Sequence, residues 1–181
     1  QDDEAVLVWL DGGGRVDATF ANEGASGITL LMVAALHGHE RLAATLLQRG
    51  ASIDLQNSAG FTALAYAALS GLERVAELLL HLGAEINQQN NNGLTALMFA
   101  AHQNHPAALH CLLRAGADTE LRSAAGCTAL QLAKEAGSAE CVRAFGEHAA
   151  AKVAAEAVAK EAARAAEAAE RAAERAAAEA E

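Results

Sequence analysis

The sequence predicts an all-α solenoid of repeated helix–turn–helix and hairpin units, followed by an extended Ala-rich helix. Three observations predict it. Gly27, Gly60, Gly93 and Gly126 recur at a constant period of 33, and each opens a Gly-x-Thr-x-Leu segment. The 181 residues include one Trp, one Tyr, four Phe and one Pro, with Ala and Leu in excess, a composition suited to helices packed closely through small side chains. From Ala149 to Glu181, alanine holds more than half of the positions.

Within each unit the opening Gly leads into an Ala-rich first helix, ending near Ala35, Ala68, Ala101 and Lys134. A breaker follows in the same register, Gly38, Gly71, Asn104 and Gly137, the residue types that tolerate the left-handed conformation closing a helix. The second helices then read Leu42 to Leu47, Val75 to Leu80, Leu109 to Leu113 and, more weakly, Cys141 to Phe145. Pro106 falls at the start of the third, where its missing N–H costs nothing. Gly50, Gly83 and Gly116 end the first three, and Asn-, Ser- and Gln-rich runs lead through tight hairpins to the next opening glycine. Upstream, Val6 to Leu10 with Gly13 match the second helix of a truncated unit, whose link to Gly27 is four residues longer than the others. A single unit cannot bury its apolar face, so the stacked array is the folding unit.

The period of 33 together with Gly-x-Thr-x-Leu, Ala-Ala, Gly-His, Leu-Leu and Gly-Ala-Asp resembles the ankyrin repeat over residues 27 to about 148. Two departures stand out, the missing proline and the missing histidine: Thr-Leu-Leu-Met, Thr-Ala-Leu-Ala, Thr-Ala-Leu-Met and Thr-Ala-Leu-Gln replace Thr-Pro-Leu-His, predicting slightly weaker helix starts in an unchanged fold. The resulting organisation is an N-terminal half repeat and long hairpin (1–26), three repeats (27–59, 60–92, 93–125), a C-terminal capping repeat (126–148) and an Ala/Glu/Arg-rich helix (149–181). That last helix would extend roughly 50 Å at 1.5 Å per residue. With only Val153 and Val158 as bulky apolar residues, it reads as a solvated rod.

The net charge of −10 divides into −8 on residues 1–148 (8 Lys+Arg against 16 Asp+Glu) and −2 on the rest (5 against 7). Such a surface repels phosphates, so nucleic acid and anionic membrane are excluded as partners and a neutral or basic protein is favoured. No run approaches the roughly 20 apolar residues of a membrane span. The start, Gln-Asp-Asp-Glu, is the reverse of a basic signal sequence, and a start at Gln1 rather than Met is compatible with an excerpt of a longer chain. Cys111, Cys127 and Cys141 are an odd number without C-x-x-C spacing, which predicts reduced thiols in a cytoplasmic protein.

Candidate sites follow from register. Gly12-Gly13-Gly14 lacks the context of a phosphate loop, and Gly13 aligns with the helix-ending Gly50 and Gly83. His37, His39, His102, His105 and His110 lack tetrahedral metal spacing and fall on turn or surface slots. No Cys or Ser stands in a constellation with His and a third group, so neither catalysis nor a cofactor is expected. Trp9 aligns with Leu79 and is expected in the core. The resemblance implies that a protein or peptide partner lies in the concave groove of hairpin tips and first helices, with the chain acting as a monomer. Carried over by register, the binding residues are Ser58, Ala59, Phe61, Leu69 and Ser70; Asn91, Asn92, Leu94, His102 and Gln103; and Ala124, Ala125, Cys127 and Glu135. They combine apolar anchors with amides, which supply area and direction. The rival reading is a structural spacer whose long helix mediates association, although no Leu or Ile after Leu132 provides a heptad seam.

Overall fold

A computed structural model describes residues 2–22 and 25–178. The chain divides into two compact units, Gln1–Ala144 and Phe145–Glu181. Helix α1 (Asp2–Asp11) is followed by strands β1 (Thr19–Asn22) and β2 (Ala25–Thr29), then by helix pairs α2 (Leu30–His37) and α3 (Glu40–Gln48), α4 (Ala63–Leu69) and α5 (Glu73–His81), α6 (Ala96–His102) and α7 (Pro106–Arg114). A last pair is α8 (Ala129–Glu135) and α9 (Ala139–Ala178).

Each first helix starts on a threonine. The hydroxyls of Thr29, Thr62, Thr95 and Thr128 accept from the backbone N–H of Met32, Ala65, Met98 and Gln131, and Gln131 Oε1 accepts in turn from Thr128 N at 2.8 Å. These caps satisfy orphan donors that no first-turn proline removes. The breakers behave as their residue types require: Gly38, Gly71 and Gly137 have φ of 77°, 70° and 70°, and Asn104, the one described non-glycine with positive φ, has 57°. Pro106 occupies the first turn of α7.

Small residues decide the stacking. Ala34 and Ala35, Ala67 and Ala68, and Ala100 and Ala101 recur as one pair per unit, and all are 0 % exposed. Helices that meet through alanine approach closely, and α2, α4, α6 and α8 pack against one another more tightly than α3, α5 and α7 do. The first helices thus form one layer, here called the inner face, and the second helices another. Leu46, Leu79 and Leu112 fill the space between first and second helices.

Trp9 departs from the expectation drawn from Leu79: it is 44 % exposed, whereas Leu79 is 0 %. Leu79 is covered by α4, the first helix of its own unit, and α1 has no such companion among the described residues. The indole lies instead over the turn that closes α1, where a Cβ on Gly14 would come within 2.5 Å of it.

The long first hairpin is a two-stranded antiparallel ladder, pairing Thr19 with Thr29, Phe20 with Ile28 and Asn22 with Ala25, with an irregularity between Phe20 and Asn22. The extra length thus adds sheet pairing to an otherwise helical array. In the second unit, Val153 and Val158 are 66 % and 68 % exposed, in keeping with a solvated Ala-rich helix, and Arg171 pairs with Glu167 at 3.7 Å.

Candidate partner-binding groove

The inner face is built from three rows that repeat once per unit: Ile28, Phe61, Leu94 and Cys127; Val33, Tyr66, Phe99 and Leu132; Leu36, Leu69, His102 and Glu135. The Phe61 ring sits 5.2 Å from Tyr66 in its own unit and 5.0 Å from Phe99 in the next, a tilted aromatic chain joining neighbouring repeats. Phe61 therefore contributes to stacking as well as to the groove surface. Helices α2, α4 and α6 carry no Asp, Glu, Lys or Arg, and only Lys134 and Glu135 on α8 bring charge to these first helices. The second helices differ. Their cleft, about 910 Å³, is edged by Glu40, Arg74, Glu77 and Arg114, with Arg114 paired to Glu77 at 3.0 Å.

The hairpins are zipped together edge to edge. Ser58 N donates to Ser26 O at 2.8 Å, Asn91 N to Ala59 O at 3.2 Å and Ala124 N to Asn92 O at 2.9 Å. Buried Asn57 and Asn90 organise each tip: the Oδ1 of Asn57 accepts from Ala59 N and Phe61 N, and that of Asn90 from Asn92 N and Leu94 N. Gln56 and Gln89 bridge to the next hairpin, their Nε2 groups donating to Gln89 O at 3.0 Å and Arg122 O at 2.9 Å. A second ladder runs from Asp17, Asp54 and Asn87, whose side chains accept from Ser52 N, Glu85 N and Asp118 N.

None of the groove residues named from register is buried. Ser58, Asn91, Asn92, Ala124 and Ala125 are exposed at hairpin tips, with Ala59 half-buried beside them. Two of these polar groups already have protein partners: Ser58 Oγ accepts from Ser26 N, and Asn91 Nδ2 donates to Ser58 O. Leu69, Ser70, His102, Gln103 and Glu135 line the C-terminal ends of the first helices, with His102, Gln103 and Glu135 exposed and Leu69 and Ser70 half-buried. Phe61, Leu94 and Cys127 are half-buried, and Cys127 Sγ lies 3.8 Å from Glu135 Oε1. Register reasoning missed the row of Val33, Tyr66 and Phe99. Its signal was present: each is larger than the alanines around it, and they recur at the period of the array.

The remaining polar features are structural. The N–H groups of Gly12, Gly13 and Gly14 donate to Val8 O, Leu10 O and Trp9 O, closing α1. His105 Nε2 lies 3.1 Å from Leu69 O, its ring so near Gly71 that a Cβ there would meet it at 2.5 Å. Cys111 and Cys141 are buried free thiols. Burial first, with Glu77 adding, pushes the Cys111 thiol from 9.0 up to about 11; burial, with Glu140, does the same for Cys141. No described helix is long and apolar enough to cross a membrane.

No curated protein matches the chain. The family described as ankyrin repeats (3 copies) matches residues 1–90 and again 82–157, agreeing with the capped helix pairs, left-handed breakers and zipped hairpins. The chain belongs to the ankyrin-repeat family, whose repeats generally serve as protein–protein interaction modules without catalysis.

Proposed function

We propose that the chain is a non-catalytic interaction scaffold that holds a protein or peptide partner on the concave face of the array. The observation carrying this reading is the apolar stripe of the inner rows, free of Asp, Glu, Lys and Arg on α2, α4 and α6, where half-buried Tyr66, Leu69 and Leu94 stand beside exposed His102 and Gln103. Apolar anchors amid a few polar groups supply both area and orientation. The net −8 of residues 1–148 favours a neutral or basic partner through long-range attraction. We place the chain, as a monomer, in a reducing intracellular compartment, which suits its three free thiols.

Capture from cell lysate tests this with three proteins: the parent, a groove variant carrying Leu69→Asp and His102→Glu, and an outer-face variant carrying Arg74→Glu and His110→Glu. Circular dichroism checks the folding of each. Partners held by the parent and outer-face variant but lost by the groove variant support the concave face. Partners lost only with the outer-face changes would contradict it.

A further inference from the structure

The inner face repeats with one discontinuity. In the second full unit Phe61 places an aromatic ring between Tyr66 and Phe99. One unit earlier the equivalent slots hold Ile28 in place of Phe61 and Val33 in place of Tyr66, both smaller. There the structure leaves a hollow of about 320 Å³, lined by Phe20, Ile28, Met32, Val33, His37 and Tyr66 among others. It lies at the small end of ligand clefts, a size suited to one bulky side chain. The long hairpin makes its outer wall: Phe20 pairs across the ladder with Ile28 and is 46 % exposed, while Val33 on α2 is 38 % exposed.

We propose that this hollow is a socket for a single aromatic side chain presented by a peptide partner with basic flanks. The inference rests on the concave-face reading and names what that face grips. The aromatic choice comes from the array itself, because the same slot one repeat later is filled by a phenylalanine ring packed on Tyr66 and Phe99. An incoming ring would meet Tyr66 as Phe61 meets Phe99, with Phe20 of the hairpin also lining the hollow. Apart from His37 and the Tyr66 hydroxyl the lining is apolar, with no Asp, Glu, Lys or Arg, which favours an uncharged group entering it. Residues 1–148 as a whole carry −8, a long-range attraction that favours Lys or Arg beside the anchor and weakens with salt.

The test uses the full chain, labelled with ¹⁵N, titrated with capped peptides bearing a central tryptophan flanked on both sides by arginines. Companion peptides replace the tryptophan by alanine or the arginines by glutamates. A filled variant, Ile28→Phe with Val33→Tyr, installs the residues that the next repeat already accommodates, so its fold is expected to persist, as circular dichroism will verify. The proposal predicts amide shifts at Ile28, Val33 and Tyr66 with the first peptide. Binding should be at least about tenfold weaker with the alanine peptide and with the filled variant. The glutamate peptide should bind more weakly too, and the arginine peptide should lose affinity as salt is raised. His110→Ala, exposed on a second helix, should leave this binding within about twofold. Equal binding by the filled variant would overturn the proposal, as would the absence of shifts in any groove amide. Binding lost in Leu94→Asp, further along the groove, but kept in the filled variant would overturn the socket while leaving the concave face in place, and shifts confined to the second helices would overturn both. Shifts at the socket that grow with protein concentration alone would put a second copy's aromatic residue there, against the proposal.

Discussion

Asn57 and Asn90 occupy equivalent buried positions in successive units, yet only one has its hydrogen bonds complete. The Oδ1 of each accepts two backbone N–H groups at 2.9–3.0 Å, which fixes the orientation of both amides. Asn57 Nδ2 then donates to Tyr66 Oη at 2.9 Å. In the next unit Phe99 takes the place of Tyr66, and Asn90 Nδ2 is left buried without a partner. An orphaned buried donor costs about 1–3 kcal/mol, and a completed neutral hydrogen bond contributes about 1 kcal/mol net. Phe99→Tyr should therefore stabilise the array by about 1 kcal/mol, a rise in Tm of roughly 2–4 °C for a unit of this size. Tyr66→Phe should do the reverse, orphaning Asn57 Nδ2 at a cost of about 1–2 kcal/mol. Urea unfolding of both variants, followed by circular dichroism, provides the comparison. If Phe99→Tyr is neutral or destabilising while Tyr66→Phe costs nothing, the amide ladder does not contribute as argued.

Other consequences follow from the same packing. Gly50→Ala and Gly60→Ala impose similar left-handed strain (φ 86° and 79°), but only the second places a Cβ 2.7 Å from Asn91 N. The first should cost about 1–2 kcal/mol and the second clearly more in urea denaturation. Thr62→Ala and Thr95→Ala each remove a helix cap and should each lower stability by about 1 kcal/mol. Cys127, half-buried, should react with iodoacetamide well before buried Cys111 and Cys141, as peptide mapping over time would reveal. Because burial holds the Cys111 and Cys141 thiols protonated to about pH 11 in the folded state while unfolded thiols ionise near 9.0, their contribution is present below pH 9. It should be lost as pH rises toward 11, and Cys111→Ala with Cys141→Ala should flatten that part of the stability profile.

Much of the array was legible because its demands are local and periodic. A left-handed residue is required wherever a first helix meets a second, so Gly38, Gly71, Asn104 and Gly137 announce the turns. Pro106 marks a helix start by the same logic. Less legible were features that depend on which neighbour is present. Trp9 aligns with Leu79, but its burial would require a first helix that α1 lacks among the described residues. The lengthened hairpin was visible as a longer link to Gly27, whereas its strand pairing, and the hollow beneath it, depend on where Phe20 lands opposite Ile28. In the groove, register located the hairpin tips and helix ends, but not that Ser58 and Asn91 would commit their side chains to the zipper. Tyr66 and Phe99 lie outside the shared motif, in a row whose identity varies from Val33 to Leu132, so the motif gives no signal for them.

The central claim, that function lies on the apolar inner face, is tested most directly by site-specific photocrosslinking in cell lysate. A benzophenone side chain at exposed Gln103, next to inner-row His102, is compared with one at exposed Gln48, which ends a second helix. The account predicts a discrete crosslinked partner from position 103 and none from position 48. A partner captured from position 48 alone would contradict it.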